Sequence, residues 1–491
     1  MSARAPKQAP RPVGVAADIR RLHAVFLFGF LLVALSAGYW AVVGPDTLLT
    51  RDDNPRRVLA ANAVQRGAVF GQGDVLLAHT PLTEAGAGAR QYPDPAFFGV
   101  LGYFSSRYGT GGLEAVFDAP LAGRDRAARW DEALLDGLLY RPVIGTDIRL
   151  TLDSTVQGVF RDAFGTHRGA GVVISLPDGE IRALISLPGY DPNTLDTDWE
   201  TLRADPAAPL FNRVLQGTYQ PGSAWQTALL ASAIIDGVPL DGEAETDRYD
   251  NTARIALADG TVLGCVLPVA APALILREAY ALGCPAPFAA LAAARDEAGR
   301  RALLDEAAAV LDRAGAATAG TVFAPTAPQP GAGGEYTLFG QGTRRVSVLE
   351  MALLAAAIVN DGNTPAPLLL DALRPPGADG WQPAAPPRPT TAVMTIDTAR
   401  RLQDAMRYTV AEGAAQNAGR PQRDIGGHVG IAYAGARVDT WFIGFTTFGG
   451  TEAAAIALVL EGVYDPGLAA DIGGTVLDAP ALHAFEGEAA P

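Results

Sequence analysis

A chain of 491 residues is too long for one average domain and long enough to bury at least one full hydrophobic core. Hydrophobic residues make up 49% of it and the formal net charge is −15, a balance that argues for a folded chain and against nucleic acid or anionic lipid surfaces as partners. The one lysine is Lys7, so chemistry that needs a lysine anywhere beyond the extreme N-terminus is excluded.

The first element predicted is a membrane span. Residues 24–43 (AVFLFGFLLVALSAGYWAVV) carry no charge, and at about 1.5 Å per residue they cross a hydrocarbon core of about 30 Å once. Arg4, Lys7, Arg11, Arg20 and Arg21 precede the run against a single acid, Asp18. That excess places residues 1–23 in the cytoplasm and everything after about Gly44 outside. The run is long for a signal-peptide core and lacks a clear small-x-small exit, so an uncleaved single-pass anchor is expected.

Residues 44–146 form a small domain of short apolar runs, punctuated by Gly102-Tyr103 and Gly111-Gly112-Leu113-Glu114. The texture changes at Asp147. Residues 148–153 read as a strand, 156–164 as a helix, and 169–176 with 181–187 as a hairpin turned at Pro177-Asp178-Gly179. Residues 223–236, 288–314 and 346–360 read as helices. Two Pro/Gly/Ala-rich stretches, 315–334 and 373–390, are expected as loops. Residues 428–435, 439–448 and 452–462 read as strands. Strands at both ends of a helical middle predict an α+β domain over 147–475, its sheet closed by sequence-distant pieces, with a tail at 476–491.

Cys265 and Cys284 are the only cysteines, and both fall on the far side of the predicted membrane, where disulfides persist. A bridge there contributes about 3 kcal/mol in the chain-entropy model; the alternative is two buried thiols. The five histidines are scattered and no Cys/His spacing suits zinc, so no metal is expected. The GAGG at 331–334 lies in a Pro-rich stretch without a following Gly-Lys, so no phosphate loop or cofactor is expected either.

Pro221-Gly222 forms a turn and Ser223 then opens a helix, where a hydroxyl usually caps backbone N–H groups. Its surroundings suggest more. Asn54-Pro55-Arg56, Arg66-Gly67 and residues 89–123 are followed by LTLDSTVQ (150–157), residues 168–193 and NRVLQGTYQPGS (212–223). Residues 276–292, GQGTRRVSVLEMALLAAAIVNDG (340–362) and WFIGF (441–445) complete the series. In this order the strings resemble the class B penicillin-binding proteins, the membrane-anchored D,D-transpeptidases that cross-link peptidoglycan. The resemblance covers almost the whole chain after the anchor. It implies a pedestal domain followed by a transpeptidase-type domain of the penicillin-binding and β-lactamase fold.

The family's chemistry rests on three motifs, and each has changed here. Ser-x-x-Lys becomes Ser223-Ala224-Trp225-Gln226. Positions three apart share a helix face, so Gln226 stands where the activating lysine would, and an amide cannot take the serine's proton. Ser-x-Asn becomes Gly283-Cys284-Pro285, and Pro285 also fixes φ and removes an N–H. Lys-Thr-Gly becomes His428-Val429-Gly430. The resemblance leaves the oxyanion hole in place as the backbone N–H groups of Ser223 and Ile431.

Three readings follow. In the first the fold is a catalytically silent, anchored scaffold or regulator of cell-wall synthesis that docks on a glycan-polymerising partner. In the second Ser223 and His428 form a new nucleophile–base pair oriented by Asp439, which a tight hairpin about Tyr433-Ala434 would bring beside His428. In the third the old cleft binds peptidoglycan stem peptides without covalent chemistry, with His428 supplying charge only when protonated.

Overall fold

The computed structural model describes residues 15–42, 64–83, 86–125, 143–242, 244–257, 260–319, 321, 338–384, 389–435 and 437–483. The charged residues before position 15, Asn54-Pro55-Arg56, the GAGG at 331–334 and the end of the tail lie outside the described residues. Two compact units result, one ending at Ala63 and one beginning at Val64. In the first, Val15–Val42 is a single helix of 28 residues. Within it Asp18–Tyr39 is long and apolar enough to cross a membrane.

The second unit is organised by a five-stranded antiparallel sheet. Its strands are β1 (Gly169–Leu176), β2 (Ile181–Leu187), β3 (Asp424–Ala434), β4 (Arg437–Gly449) and β5 (Glu452–Leu460). They lie in the order β2-β1-β5-β4-β3. The two hairpins that meet at β1 and β5 are more than two hundred residues apart in sequence, the closure that strands at both ends of the domain predicted.

Layering explains why β5 is apolar at nearly every position. Successive side chains alternate between faces, and here both faces are covered. Ala457 and Val459 join one hydrophobic cluster with Leu353, Leu354 and Trp225. Ile456, Leu458 and Leu460 join the other with Phe160, Ile472 and Val476. The helices Val348–Val359 and Gln226–Ile235 therefore lie on one side, and Ser154–Phe164 and Pro466–Leu477 on the other.

A second five-stranded sheet joins Val69–Phe70 and Leu76–Ala78 from the small N-terminal region to Asp147–Leu150, Leu370–Arg374 and Gln382–Pro383. Hydrogen-bonded pairs thus run across the 146/147 boundary drawn from the sequence. The helix Pro466–Leu477 likewise runs past residue 475.

Some expectations need correction. The helical stretch 288–314 is two helices, Pro285–Ala293 and Glu297–Ala316, because Asp296 caps the second by accepting the Gly299 N–H. The loop expected at 373–390 begins inside one strand and contains another. Residues 315 and 316 belong to the helix before them.

Candidate functional site

Ser223 lies on a 3-10 turn, Gly222–Trp225, that leads into the helix Gln226–Ile235. The turn presses against β3 backbone to backbone. A Cβ on Gly222, whose φ is +55°, would lie 2.2 Å from the Ile431 carbonyl oxygen, and one on Gly430 would lie 2.2 Å from the Ala224 nitrogen. No side chain fits either place, so both positions require glycine. Gly430→Ala is expected to cost about 1–3 kcal/mol by forcing turn and strand apart. Thermal unfolding checks this, and an unchanged midpoint would mean the strand yields freely.

The Ser223 hydroxyl does not cap the helix it precedes. Its Oγ accepts the Ile431 N–H at 2.8 Å, so the donor assigned to an oxyanion hole is engaged by the serine itself. Gln226 is buried; its Nε2 donates to the Cys284 carbonyl at 3.3 Å, and its Oε1 is buried without a hydrogen-bond partner.

The second-motif segment is tied down on both sides. Gly283 has φ +64° and its carbonyl accepts the Val266 N–H at 3.4 Å, while Pro285 occupies the first turn of its helix. Cys284 is disulfide-bonded to Cys265. That bond holds the segment carrying Leu263, Gly264 and Val266 as one wall of the cleft.

His428 is fully buried and lies behind the cleft rather than in it. Its ring stacks on Tyr280 with centroids 4.1 Å apart and planes 10° apart. Nε2 is 3.2 Å from the backbone carbonyl oxygen of Ser223. A carbonyl only accepts, so that nitrogen carries the hydrogen and cannot receive the hydroxyl proton. Nδ1 is buried with no partner. Burial lowers the imidazole pKa from 6.5 to about 4, against a smaller raising effect of the Ser223 carbonyl. The ring is neutral at any ordinary pH.

The Asp439 expectation is overturned. The β3–β4 hairpin closes on the pair Ala434↔Arg437, two residues later than the sequence suggested, so His428 faces Ile443 and Asp439 faces Ala432. Four residues of strand, about 13 Å, separate Asp439 from His428 along the sheet. The Asp439 carboxylate instead accepts from Arg437 at 2.9 Å and from the Gly462 N–H at 3.0 Å. Burial raises its pKa despite these contacts.

Ser223, Gln226, Pro285, Gln341, Ile431 and Tyr433 are among the residues lining the cleft. The enclosed space is ≈ 20 Å³, about what one water needs. Every described lining residue is uncharged. Gln341 and Tyr280 were missed as site residues by sequence reasoning. Both stood inside resemblance strings, Gln341 in 340–362 and Tyr280 in 276–292; a Gly-Gln-Gly triplet could have marked Gln341, and no local pattern marks Tyr280.

Two family models match. One, the penicillin binding protein transpeptidase domain, covers residues 317–477, and the other, the penicillin binding protein A dimerisation domain, covers 66–139. The peptidoglycan D,D-transpeptidase PbpA of Mycolicibacterium smegmatis is 29% identical over 479 residues, which span 91% of this chain and 94% of the relative. PbpA of Mycobacterium tuberculosis is 29% identical over 506 residues, 96% of this chain and 99% of the relative. The structure of penicillin-binding protein A from M. tuberculosis as an imipenem acyl-enzyme superposes with a TM-score of 0.71 at 26% identity, covering 86% of this chain and 100% of that one. The D,D-transpeptidase domain from Eggerthella lenta gives a TM-score of 0.70 at 23% identity over 85% and 98%, and shows the fold alone.

A sheet with helices on both sides, with a serine turn against its edge strand, is the fold of the penicillin-interacting transpeptidases. With the dimerisation domain ahead of it and relatives matched almost end to end, the chain belongs to the class B penicillin-binding proteins.

Proposed function

We propose that this penicillin-binding protein serves peptidoglycan synthesis as a membrane-anchored scaffold or regulator that no longer performs transpeptidation. The single observation carrying this reading is that, among the described residues, no group able to accept a proton faces the Ser223 hydroxyl. The oxygen takes a hydrogen bond from Ile431, Gln226 is turned to a backbone carbonyl, and His428 presents an N–H to the serine's own backbone. Loss of a general base alone lowers a rate by about 10²–10⁴.

Anchoring through the N-terminal helix, with its basic flank in the cytoplasm, puts the second unit on the outer side. The small N-terminal region and the anchor then serve to dock a glycan polymerase, which needs no reactive serine. Relatives named as D,D-transpeptidases support the cell-wall setting.

The test is covalent labelling. Full-length chain in detergent is incubated with a fluorescent penicillin and resolved on a denaturing gel beside Ser223→Ala. Equal, background-level signal in both is the expected result. A stoichiometric band that disappears in Ser223→Ala would show an active acyl-enzyme and end the proposal.

A further inference from the structure

A second cavity lies at the other edge of the main sheet. It is lined by Phe98, Arg161, Leu187, Gly189, Tyr190 and Asp191 and holds ≈ 220 Å³, against ≈ 20 Å³ at the serine cleft, with which it shares no lining residue. One water needs about 10–15 Å³ on this measure, so a small molecule has room. Leu187 ends β2, and β2 and β3 are the two outer strands of the sheet, four strand spacings or about 19 Å apart. Phe98 comes from the small N-terminal region and Arg161 from the last turn of the helix Ser154–Phe164. The cavity therefore lies on the seam between the N-terminal region and the transpeptidase-type domain, a common setting for ligand sites.

Both sides of the seam are held in place. Gly99 has φ +86°, and a Cβ on it would lie 2.8 Å from the Ser186 carbonyl oxygen, so the two segments meet backbone to backbone. Asn193 fastens the loop after β2: its Oδ1 accepts the Tyr92 N–H at 2.9 Å and its Nδ2 donates to the Tyr92 carbonyl at 3.0 Å. The same residue donates its backbone N–H and its Nδ2 to Asp191 Oδ1, both at 2.8 Å. Asp191 Oδ2 has no partner among the described residues.

Two donors also stand unused at the cavity. The Arg161 guanidinium makes no hydrogen bond or ion pair among the described residues. Tyr190 is 9% exposed, its ring packs edge-on against Tyr103, and its hydroxyl has no hydrogen-bond partner among the described residues. Burial first, and Tyr103 second, push the phenol pKa well up, so the hydroxyl keeps its proton and donates.

Charge then selects the ligand. Arg161 and Asp191 are opposite in sign and line one cavity, yet they do not pair with each other. A simple anion would gain Arg161 and be repelled by Asp191, and a simple cation would meet the reverse. A small zwitterion gains both. Phe98 and Leu187 offer apolar surface to the rest of the molecule.

We propose that this cavity binds a free α-amino acid with an apolar side chain, its carboxylate on Arg161 and the Tyr190 hydroxyl and its ammonium on Asp191. The bound molecule bridges the N-terminal region and the transpeptidase-type domain. This goes beyond the reading of the serine cleft and does not depend on it.

The experiment is isothermal titration of the full-length chain in detergent. The probes are leucine, leucinamide, which lacks the carboxylate, N-acetylleucine, which lacks the ammonium, and glycine, which lacks the side chain. The chiral probes are run in L and D forms and the tighter enantiomer is scored. Leucine is expected to bind about tenfold or more tighter than either singly charged probe, and about fivefold or more tighter than glycine.

Arg161→Gln is expected to weaken leucine about tenfold while leaving leucinamide unchanged, and Asp191→Asn to weaken leucine similarly while leaving N-acetylleucine no weaker. These crossed comparisons separate a lost contact from a disturbed fold. Arg161 has no partner to forfeit, and asparagine at 191 keeps an oxygen for Asn193. Tyr190→Phe, which removes only the hydroxyl, is expected to weaken leucine about threefold. No saturable binding of leucine up to about 10 mM, equal binding of all four probes, or leucine affinity unchanged in Arg161→Gln or in Asp191→Asn overturns the proposal. A Ser223-dependent penicillin band would instead end the scaffold reading and leave these titrations as they stand.

Discussion

Glu114→Ala is expected to destabilise the folded chain by about 3–5 kcal/mol, the usual result of leaving buried charge without its partner. Glu114 is buried in the N-terminal region with Arg66 and Arg90, which are themselves buried. Its two oxygens are divided between them: Arg66 Nε donates to Oε2 at 2.8 Å and Arg90 Nε to Oε1 at 2.7 Å. Arg66 would keep Asp118, which accepts from Nη1 at 2.6 Å. Arg90 would keep only neutral partners, the Gly67 carbonyl at 2.7 Å and the Thr80 hydroxyl at 3.3 Å.

Burial by itself would raise the Glu114 pKa; Arg90 and then Arg66 outweigh it and hold the carboxyl below its ordinary value. A depressed carboxyl pKa contributes stability above the unfolded value and loses it as pH falls through the folded one. Urea unfolding at neutral pH, parent against Glu114→Ala, measures the effect. A change of less than about 1 kcal/mol would mean that water reaches Arg90 once the carboxylate is gone.

What the sequence disclosed and what it hid divide along a physical line. The strands 169–176 and 181–187 were legible to the residue, because a run buried on both faces between turn residues has few alternatives. The break at Asp296 was also written locally, as an N-cap acid inside an alanine-rich run. The site is another matter. Whether His428 faces the serine depends on Tyr280 and the Ser223 turn, which approach it from more than a hundred residues away. The place of Asp439 depended on hairpin register, and a turn displaced by two residues moves a facing pair by four positions. Residue types marked Ser223, Gln226 and His428 as a candidate site; only packing tells which way each side chain turns.

His428 makes a second large effect measurable, and its sign is fixed by the site's geometry. The folded imidazole has a pKa of about 4 against 6.5 when solvated. Between those values the unfolded chain binds a proton that the folded chain refuses, so stability rises with pH across that interval. The contribution is fully present above about pH 6.5 and is lost progressively towards pH 4, amounting to on the order of 3 kcal/mol. Carboxylates also titrate in this range, so the measurement is a difference. Parent and His428→Gln are unfolded in urea from pH 4 to 8, and glutamine, neutral throughout, removes the histidine's share of the slope while the carboxylates contribute equally to both. The parent curve should fall more steeply on acidification, and parallel curves would mean that the ring reaches water or finds an anion. Protonating the ring would also place a cation directly behind the Ser223 carbonyl, with only the neutral Tyr280 ring stacked on it. The histidine therefore provides no latent positive charge for an anionic ligand: charging it costs the fold that shapes the cleft.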